Sequence, residues 1–250
     1  MTFHDIYRSE WQGTWALWVV PLAFLGWLRL SATARERAGS AAPDVRFVHL
    51  YSAVFALESL ADSFATGPLS RWLGISGTAA GTATMVFFVL VGDFRVLLLL
   101  FRLGRPERTV TSVSRSAALW TLLVPLTALW MDFGLRAIFG ELPGQTIWVL
   151  YELAFFGLAM FLRNGWIPAY AASNPPARIA YLRAIMSYVA LYYALWATAD
   201  VLILIFGRDE GWGLRILPNQ LYYAFWVPFA YFLFFSRRYA SPIASTQTSR

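Results

Sequence analysis

The chain has no cysteine, no lysine and only two histidines, and these shortages exclude several kinds of chemistry. Without cysteine there is no disulfide, no iron–sulfur cluster and no thiol nucleophile. Without lysine a covalent retinal Schiff base cannot form. His4 and His49 alone do not favour a bis-histidine haem or a His-rich zinc site. We therefore predict no metal site, and the sequence leaves any other cofactor open.

Recognised catalytic motifs are missing as well. The sequence contains no H-E-x-x-H, G-x-S-x-G or Walker A pattern, no paired aspartate motif of prenyl transfer and no histidine cluster of a desaturase. A known enzyme class is therefore disfavoured, and no motif identifies a family. An intramembrane enzyme stays open as an alternative, and it would need a nucleophile or base near a lipid-accessible cleft.

Charged residues are few, at 14%, whereas hydrophobic residues make up 58% of the 250 residues. A soluble fold of this length could not bury so much apolar surface, so we expect the bilayer to be the solvent. A membrane helix needs about 20 mainly apolar residues. We predict an all-α integral membrane protein with about seven transmembrane helices, at about 11–30, 46–65, 80–101, 116–138, 146–162, 184–206 and 219–236.

The separators between these runs are rich in turn residues. Thr66-Gly67-Pro68 is predicted to break the second helix, and the stretch 207–218 is predicted to be a turn before the seventh. We expect one transmembrane domain, residues 1–238, followed by a disordered cytoplasmic tail, residues 239–250.

Arginines are divided unequally between alternate loops, with fourteen on one side and five on the other, and Arg95 in mid-helix. Because cytoplasmic loops retain positive charge, the N-terminus is predicted outside and the C-terminus in the cytoplasm. Arginine without lysine is typical of a GC-rich genome, and we expect a multi-pass protein of the cell membrane, in a bacterial inner membrane. The arginines form no stripe or run, so the bilayer and not nucleic acid is the expected partner.

Ionisable residues inside membrane spans are costly, and each is a functional candidate unless it reaches water or a partner. The predicted spans contain Glu58, Asp62, Asp93, Arg95, Asp132, Glu152 and Asp200. Asp62, Asp132 and Asp200 are expected within about 6 to 10 Å of the outer face, with Glu152 at similar depth. Glu58, about 12 Å from its helix end, lies deeper. The alternative for the shallower acids is solvation or pairing with Arg71, Arg136, Arg208 or Arg215.

Asp93 and Arg95 stand two positions apart and therefore point to nearly opposite sides of one helix. Arg95 is expected to extend to the cytoplasmic end of that helix. Asp93 cannot reach so far and needs a donor from another helix, such as a tyrosine hydroxyl, an arginine or a bound cation.

Aromatic residues cluster in the last two predicted spans. They belong either to helix packing or to the wall of a hydrophobic ligand pocket. The candidates for such a wall are Tyr188, Tyr192, Tyr193, Trp196, Tyr223 and Trp226.

A small-residue run, 77–84, opens the third predicted span and contains a G-x-x-x-G pattern. Such runs permit close backbone approach, so we predict that this helix packs at the centre of the bundle.

Three functional classes remain. The first is a transporter-like protein in which Glu58, Asp62, Glu152 and Asp200 line one outward-facing acidic cavity that moves or senses protons or a small cation, with Glu58 as the leading site. The second is a ligand- or pigment-binding, sensory or accessory subunit, whose partner is a hydrophobic ligand or another membrane protein. The third is the intramembrane enzyme. Asp93 joins the four acids of the first class as a candidate ion- or ligand-binding residue.

Overall fold

The computed structural model describes residues 1–236, so the predicted tail and the last residues of the predicted domain lie outside the described residues. Regular structure in residues 1–236 is entirely helical. The α-helices are α1 Phe3–Arg8, α2 Ala16–Leu30, α3 Ala32–Ala38, α4 Pro43–Phe64, α5 Ser70–Trp72, α6 Ala79–Gly104, α7 Val110–Phe139, α8 Thr146–Phe161, α9 Ile167–Tyr170, α10 Pro176–Leu204, α11 Glu210–Asn219 and α12 Trp226–Phe234. The π-helical segments Trp11–Trp15, Ala65–Leu69, Leu162–Trp166 and Gln220–Phe225 continue directly into neighbouring α-helices.

Within the described residues, five helices are long and apolar enough to cross a membrane. They coincide with the predicted first, third, fourth, fifth and sixth spans: Trp11–Leu30, Ala79–Gly104, Val110–Phe139, Thr146–Tyr170 and Pro176–Leu204. The predicted second and seventh spans are helical but are not among these five; α4 carries Glu58 and Asp62, and the seventh span begins with Asn219 and Gln220. The helical class is therefore confirmed, and the five apolar helices fit a multi-pass membrane protein.

Two predicted breaks are wrong. The helix does not break at Thr66-Gly67-Pro68. It continues through the π-helical segment Ala65–Leu69 and ends after Trp72. Proline in a regular α-helix clashes with the carbonyl four residues earlier, and the different spacing of a π-helical turn changes that geometry. The turn before the last helix is likewise short, because α11 already begins at Glu210.

Contacts at the helix ends define an alternating up-and-down bundle. At one end, the Asp44 carboxylate at the start of α4 accepts from Arg178 at 2.7 Å and lies 3.7 Å from Arg102, the two arginines coming from α10 and α6. This is called the arginine-rich end. At the other, the N-terminal end, the Asp209 carboxylate accepts from the backbone N–H groups of Phe3 and His4 at 2.7 and 3.1 Å.

The small-residue run is exposed, which corrects the packing predicted for it. Residues 79–80 and 82–83 at the start of α6 are exposed, and a Cβ at Gly81 would overlap only the carbonyl of Ile75 in the preceding loop. Only the second half of α6, from Gly92 to Gly104, is buried against its neighbours. α6 is therefore central at the arginine-rich half and peripheral at the N-terminal end.

Candidate functional site

Arg95 is at the centre of a buried ion pair and does not extend to the helix end, so that expectation is wrong. Its side chain is 1% exposed. Nη1 donates to Glu58 Oε2 at 2.8 Å and to Ser59 Oγ at 2.7 Å, and Nη2 donates to the Tyr222 carbonyl at 2.7 Å. A carboxylate at equal depth on α4 makes burial of the guanidinium tolerable, because buried charges are retained where they are paired and hydrogen-bonded. Arg95, Glu58, Ser59 and Tyr222 are called the arginine cluster.

The π-helical segment Gln220–Phe225 supplies backbone carbonyls to this cluster. Besides the Tyr222 carbonyl, the Leu221 carbonyl accepts from the Tyr188 hydroxyl at 2.9 Å. The Arg95 guanidinium also lies 4.6 Å from the centroid of the Tyr222 ring. Side chains thus insert beside the helical backbone at a π-helical turn, an irregularity that is frequent at functional sites.

Asp62 lies one turn from Glu58 and is the carboxylate with the weakest partner. It is 1% exposed, and the Thr66 hydroxyl lies 3.4 Å from its Oδ1. Because the helix continues to Trp72, Asp62 lies about 15 Å from its end. The predicted shallow depth of Asp62 is therefore wrong.

Asp93 has the cross-helix donors that the sequence requires. The side chain is fully buried, and each carboxylate oxygen accepts from one tyrosine hydroxyl, those of Tyr151 on α8 and Tyr193 on α10. Gly92 permits this close packing, since a Cβ there would overlap the hydroxyl of Tyr222. Asp93 and Arg95 have separate sets of partners, in agreement with their spacing.

Two of the predicted acid–arginine pairs are present. Asp132 accepts from Arg136 Nε at 2.7 Å, one turn along α7. Asp200 is fully buried on α10, where it accepts from Arg215 of α11 and from Gln145 Nε2 at 2.8 Å. These contacts satisfy both oxygens of Asp200, whereas Asp132 Oδ1 has no hydrogen-bond partner within the described residues.

Glu152 has a buried carboxylate oxygen without a partner in residues 1–236, as Glu58 and Asp132 also do. It is 5% exposed, and its Oε2 has no hydrogen-bond partner within the described residues. Its carboxyl group interacts electrostatically with that of Asp200, and Arg215 interacts with both. Within the described residues Arg215 forms an ion pair with Asp200, and Glu152 is a second acid near that pair.

Glu152 lines a cavity of about 360 Å³ near the N-terminal end, called the aromatic cavity. Its walls are mainly aromatic, with a few polar groups: Tyr7, Arg8, Met85, Val89, Gln145, Trp148, Tyr151, Glu152, Tyr193, Trp196, Trp212, Arg215, Asn219, Tyr222 and Tyr223. Arg8 and Met85 are exposed, so the cavity reaches the surface of the bundle.

The predicted pocket wall is divided by the structure. Tyr193, Trp196 and Tyr223 line the aromatic cavity. The other candidates pack beside it: Tyr188 stacks on Phe229 at 4.1 Å, Tyr192 is fully buried, and Trp226 donates to the Tyr51 hydroxyl at 3.2 Å.

The four acids expected around one cavity fall into two groups. Glu152 lines the aromatic cavity, and Asp200 lies behind it through Arg215 and Gln145. Glu58 is paired with Arg95, which contacts the Tyr222 carbonyl and ring, and Asp62 lies one turn from Glu58 on α4. Neither acid lines the aromatic cavity. Since Glu58 already has a guanidinium partner, Glu152 replaces it as the leading site.

Several residues of the cavity were missed at the sequence level. Arg215 is predicted as a possible partner of the acids, but the sequence places it and Trp212 in a loop because Gly207 and Pro218 bracket them. The apolar pair Ile216-Leu217 is the signal that could have extended the last helix backwards. Tyr151 and Gln145 carry no signal, because their partners, Asp93 on α6 and Asp200 on α10, are set by packing across the bundle.

No protein-family model, curated protein or solved structure matches this chain. A function is therefore argued from the cavity and its charges. In residues 1–236 no group of three or more His, Asp or Glu side chains is arranged to hold a metal ion.

Proposed function

We propose that this chain is a seven-helix membrane protein that binds a small organic cation in the aromatic cavity, with Glu152 as the counter-charge. The observation that carries the proposal is the Glu152 carboxylate, which lines the aromatic cavity and has an oxygen without a partner. Carrying such a cation across the membrane and sensing it are both consistent with this site.

The proposed count of seven membrane helices depends on the lengths of α4 and of the run from α11 to α12. α4 has 22 residues, or about 33 Å, enough to cross the hydrocarbon layer. The run from α11 through α12, residues 210–234, is equally continuous. Glu58 in α4 is paired with Arg95, which lowers the cost of placing α4 in lipid.

The orientation rests on the arginine asymmetry, which assigns the arginine-rich end to the cytoplasm and the aromatic cavity to the outer face. Reporter fusions test it. A cytoplasmic reporter joined after Arg238 is expected to be active and one joined after Gly140 inactive, and the reverse pattern would move the cavity to the inner face.

The charge balance favours a cation. Arg215 offsets the charge of one of the two neighbouring carboxylates, Asp200 and Glu152, so a second positive group is favoured beside Glu152. Arg8 is exposed at the rim, and its guanidinium is directed over the Trp212 ring at 5.9 Å.

The walls favour an organic cation. Aromatic faces attract cations through their quadrupoles, most strongly where water is excluded, and aromatic cages recognise alkylated ammonium groups. Trp148, Trp196 and Tyr223 line the cavity without an arginine over their rings in residues 1–236. A volume of about 360 Å³ admits a ligand of a few carbon atoms.

Choline and its uncharged isostere, 3,3-dimethylbutan-1-ol, test the proposal as probes. With purified full-length protein in lipid nanodiscs, choline is expected to change tryptophan fluorescence and raise the thermal midpoint, whereas the alcohol is not. Glu152→Gln is expected to weaken choline binding at least about tenfold, the loss of one charge-assisted contact. Glu141→Gln is the matched control, because Glu141 is fully exposed at the same end of the bundle. Equal binding of the alcohol, or equal loss in both variants, would refute the proposal.

A second candidate is proton sensing, which the Asp93 contacts favour. Tyr151 and Tyr193 line the aromatic cavity and donate to Asp93, so their hydroxyls join the cavity to a fully buried carboxylate. The measurement is the infrared carboxyl signal of the protein during a pH titration. Loss of a titrating band in Asp93→Asn but not in Asp132→Asn would support this candidate, and an unchanged spectrum in Asp93→Asn would reject it.

A further inference from the structure

A second cavity, of about 310 Å³, lies at the opposite, arginine-rich end of the bundle. It is bordered by the end of α6, the start of α7 and the helical run of α8 and α9. Its polar part consists of Arg105, Arg108 and Ser116, and its apolar part includes Trp120 and Phe161. We call it the basic groove.

The basic groove has positive charge without a neutralising carboxylate. Neither Arg105 nor Arg108 forms an ion pair within residues 1–236, whereas Arg102 and Arg178 at the same end both face Asp44. Glu107, between the two arginines in sequence, is exposed and does not line the groove. An anion is therefore the complementary ligand.

Arg105 is held in position by aromatic rings. Its guanidinium carbon lies 4.6 Å from the centroid of Tyr170 and 5.8 Å from that of Trp166. Trp166 is only 7% exposed, so this platform is part of the packed bundle. The arginine thus loses little further side-chain freedom when it binds an anion.

The rest of the groove is apolar and opens onto the lipid-facing side of the bundle. Trp120 and Phe161 stack nearly parallel, with ring centroids 6.1 Å apart, and Phe161 is 54% exposed. Leu119 and Leu123, beside Trp120 on α7, are exposed as well. A ligand in this groove meets two guanidinium groups at one end and hydrocarbon at the other.

We propose that the basic groove binds an anionic phospholipid. The phosphate lies between Arg105 and Arg108, and an acyl chain lies along Trp120 and Phe161. Basic pockets between membrane helices recognise lipid headgroups in this way. A free phosphate ion could satisfy the two arginines but would leave the apolar part of the groove unused. This site is separate from the aromatic cavity and does not depend on the function proposed for it.

Lipid retention and thermal unfolding of the purified full-length protein test the proposal. Dioleoylphosphatidylglycerol is expected to be retained in native mass spectra and to raise the thermal midpoint, unlike dioleoylphosphatidylcholine or sodium phosphate. The double variant Arg105→Gln/Arg108→Gln is expected to retain about tenfold less phosphatidylglycerol. The matched control is Arg35→Gln/Arg46→Gln, which removes the same charge from exposed positions at the same end.

Ser116→Phe is an independent test, because it fills the groove without changing any charge. It is also expected to reduce the retention of phosphatidylglycerol. If this variant does not fold, the arginine pair still decides the question. Equal loss in the control pair would reduce the effect to general surface attraction and overturn the site. An equal shift with sodium phosphate or phosphatidylcholine would overturn the assignment of an anionic lipid.

Discussion

The arginine cluster and the aromatic cavity contain similar charges in different surroundings. Each brings one buried arginine together with two nearby carboxylates: Arg95 with Glu58 and Asp62, and Arg215 with Asp200 and Glu152. In the first, side chains of α4 and the backbone of the π-helical segment Gln220–Phe225 enclose the guanidinium. In the second, one carboxylate borders open space. The comparison teaches that a ligand's access to the charged group, more than the number of charges, distinguishes a binding group from a structural ion pair.

The difference predicts opposite responses to mutation. A charge enclosed by fixed partners is costly to remove, because each partner is left buried and unpaired. A carboxylate that borders a cavity and a like charge contributes little to stability, so its removal affects ligand binding first.

The largest effect is expected from Arg95→Met. It leaves Glu58 buried without its cation and is expected to lower the free energy of unfolding by about 3 to 5 kcal/mol. The measurement is the folded fraction recovered in detergent, together with the thermal midpoint.

The double variant Arg95→Met/Glu58→Met is the control, since it removes both charges at once. It is expected to recover much of the lost stability, because an ion pair replaced by apolar residues is often neutral. A double variant as unstable as Arg95→Met would contradict the enclosed pair and would assign the loss to the Ser59 and Tyr222 contacts.

The next largest loss of stability is expected at Asp93, and Asp62 is the carboxylate with which it is compared. Asp93→Leu leaves the buried hydroxyls of Tyr151 and Tyr193 without an acceptor, at about 1 to 3 kcal/mol each. Asp62→Leu loses only the long Thr66 contact, so its cost is expected to be smaller. Folded yields of the two variants, expressed in parallel, check the order. Equal yields would show that the tyrosine contacts add no stability to the bundle.

The sequence predicts the helices well because membrane spans are a matter of local composition. Five apolar helices are found where hydropathy indicates them. The failures come from interactions that local composition does not contain. Pro68 is a helix breaker by its own chemistry, yet it lies inside the π-helical segment Ala65–Leu69 of a continuous helical run.

The site was predictable by residue type but not by pairing. The cost of burying charge singles out Glu58, Asp93, Glu152 and Asp200 in the sequence, and all four lie inside the bundle. Which partner each receives depends on helix rotation, and rotation is fixed by packing across the bundle. Arg95 is an example. Its depth alone predicts a side chain that extends to the helix end, whereas in the structure α4 supplies the Glu58 carboxylate at the same depth.

The smallest expected change in stability is that of Glu152→Gln, set against Glu58→Gln. Glu152 borders the aromatic cavity and has no ion pair within the described residues, so replacement by the neutral amide is expected to change stability by less than about 0.5 kcal/mol. Glu58→Gln weakens the contact with Arg95 and is expected to lower stability by about 1 to 3 kcal/mol. The two substitutions are chemically identical, and both side chains lie on long helices, so the thermal midpoints are directly comparable. A fall for Glu152→Gln as large as that for Glu58→Gln would mean that Glu152 is itself a structural partner, and the aromatic cavity would then lose its counter-charge for a cation.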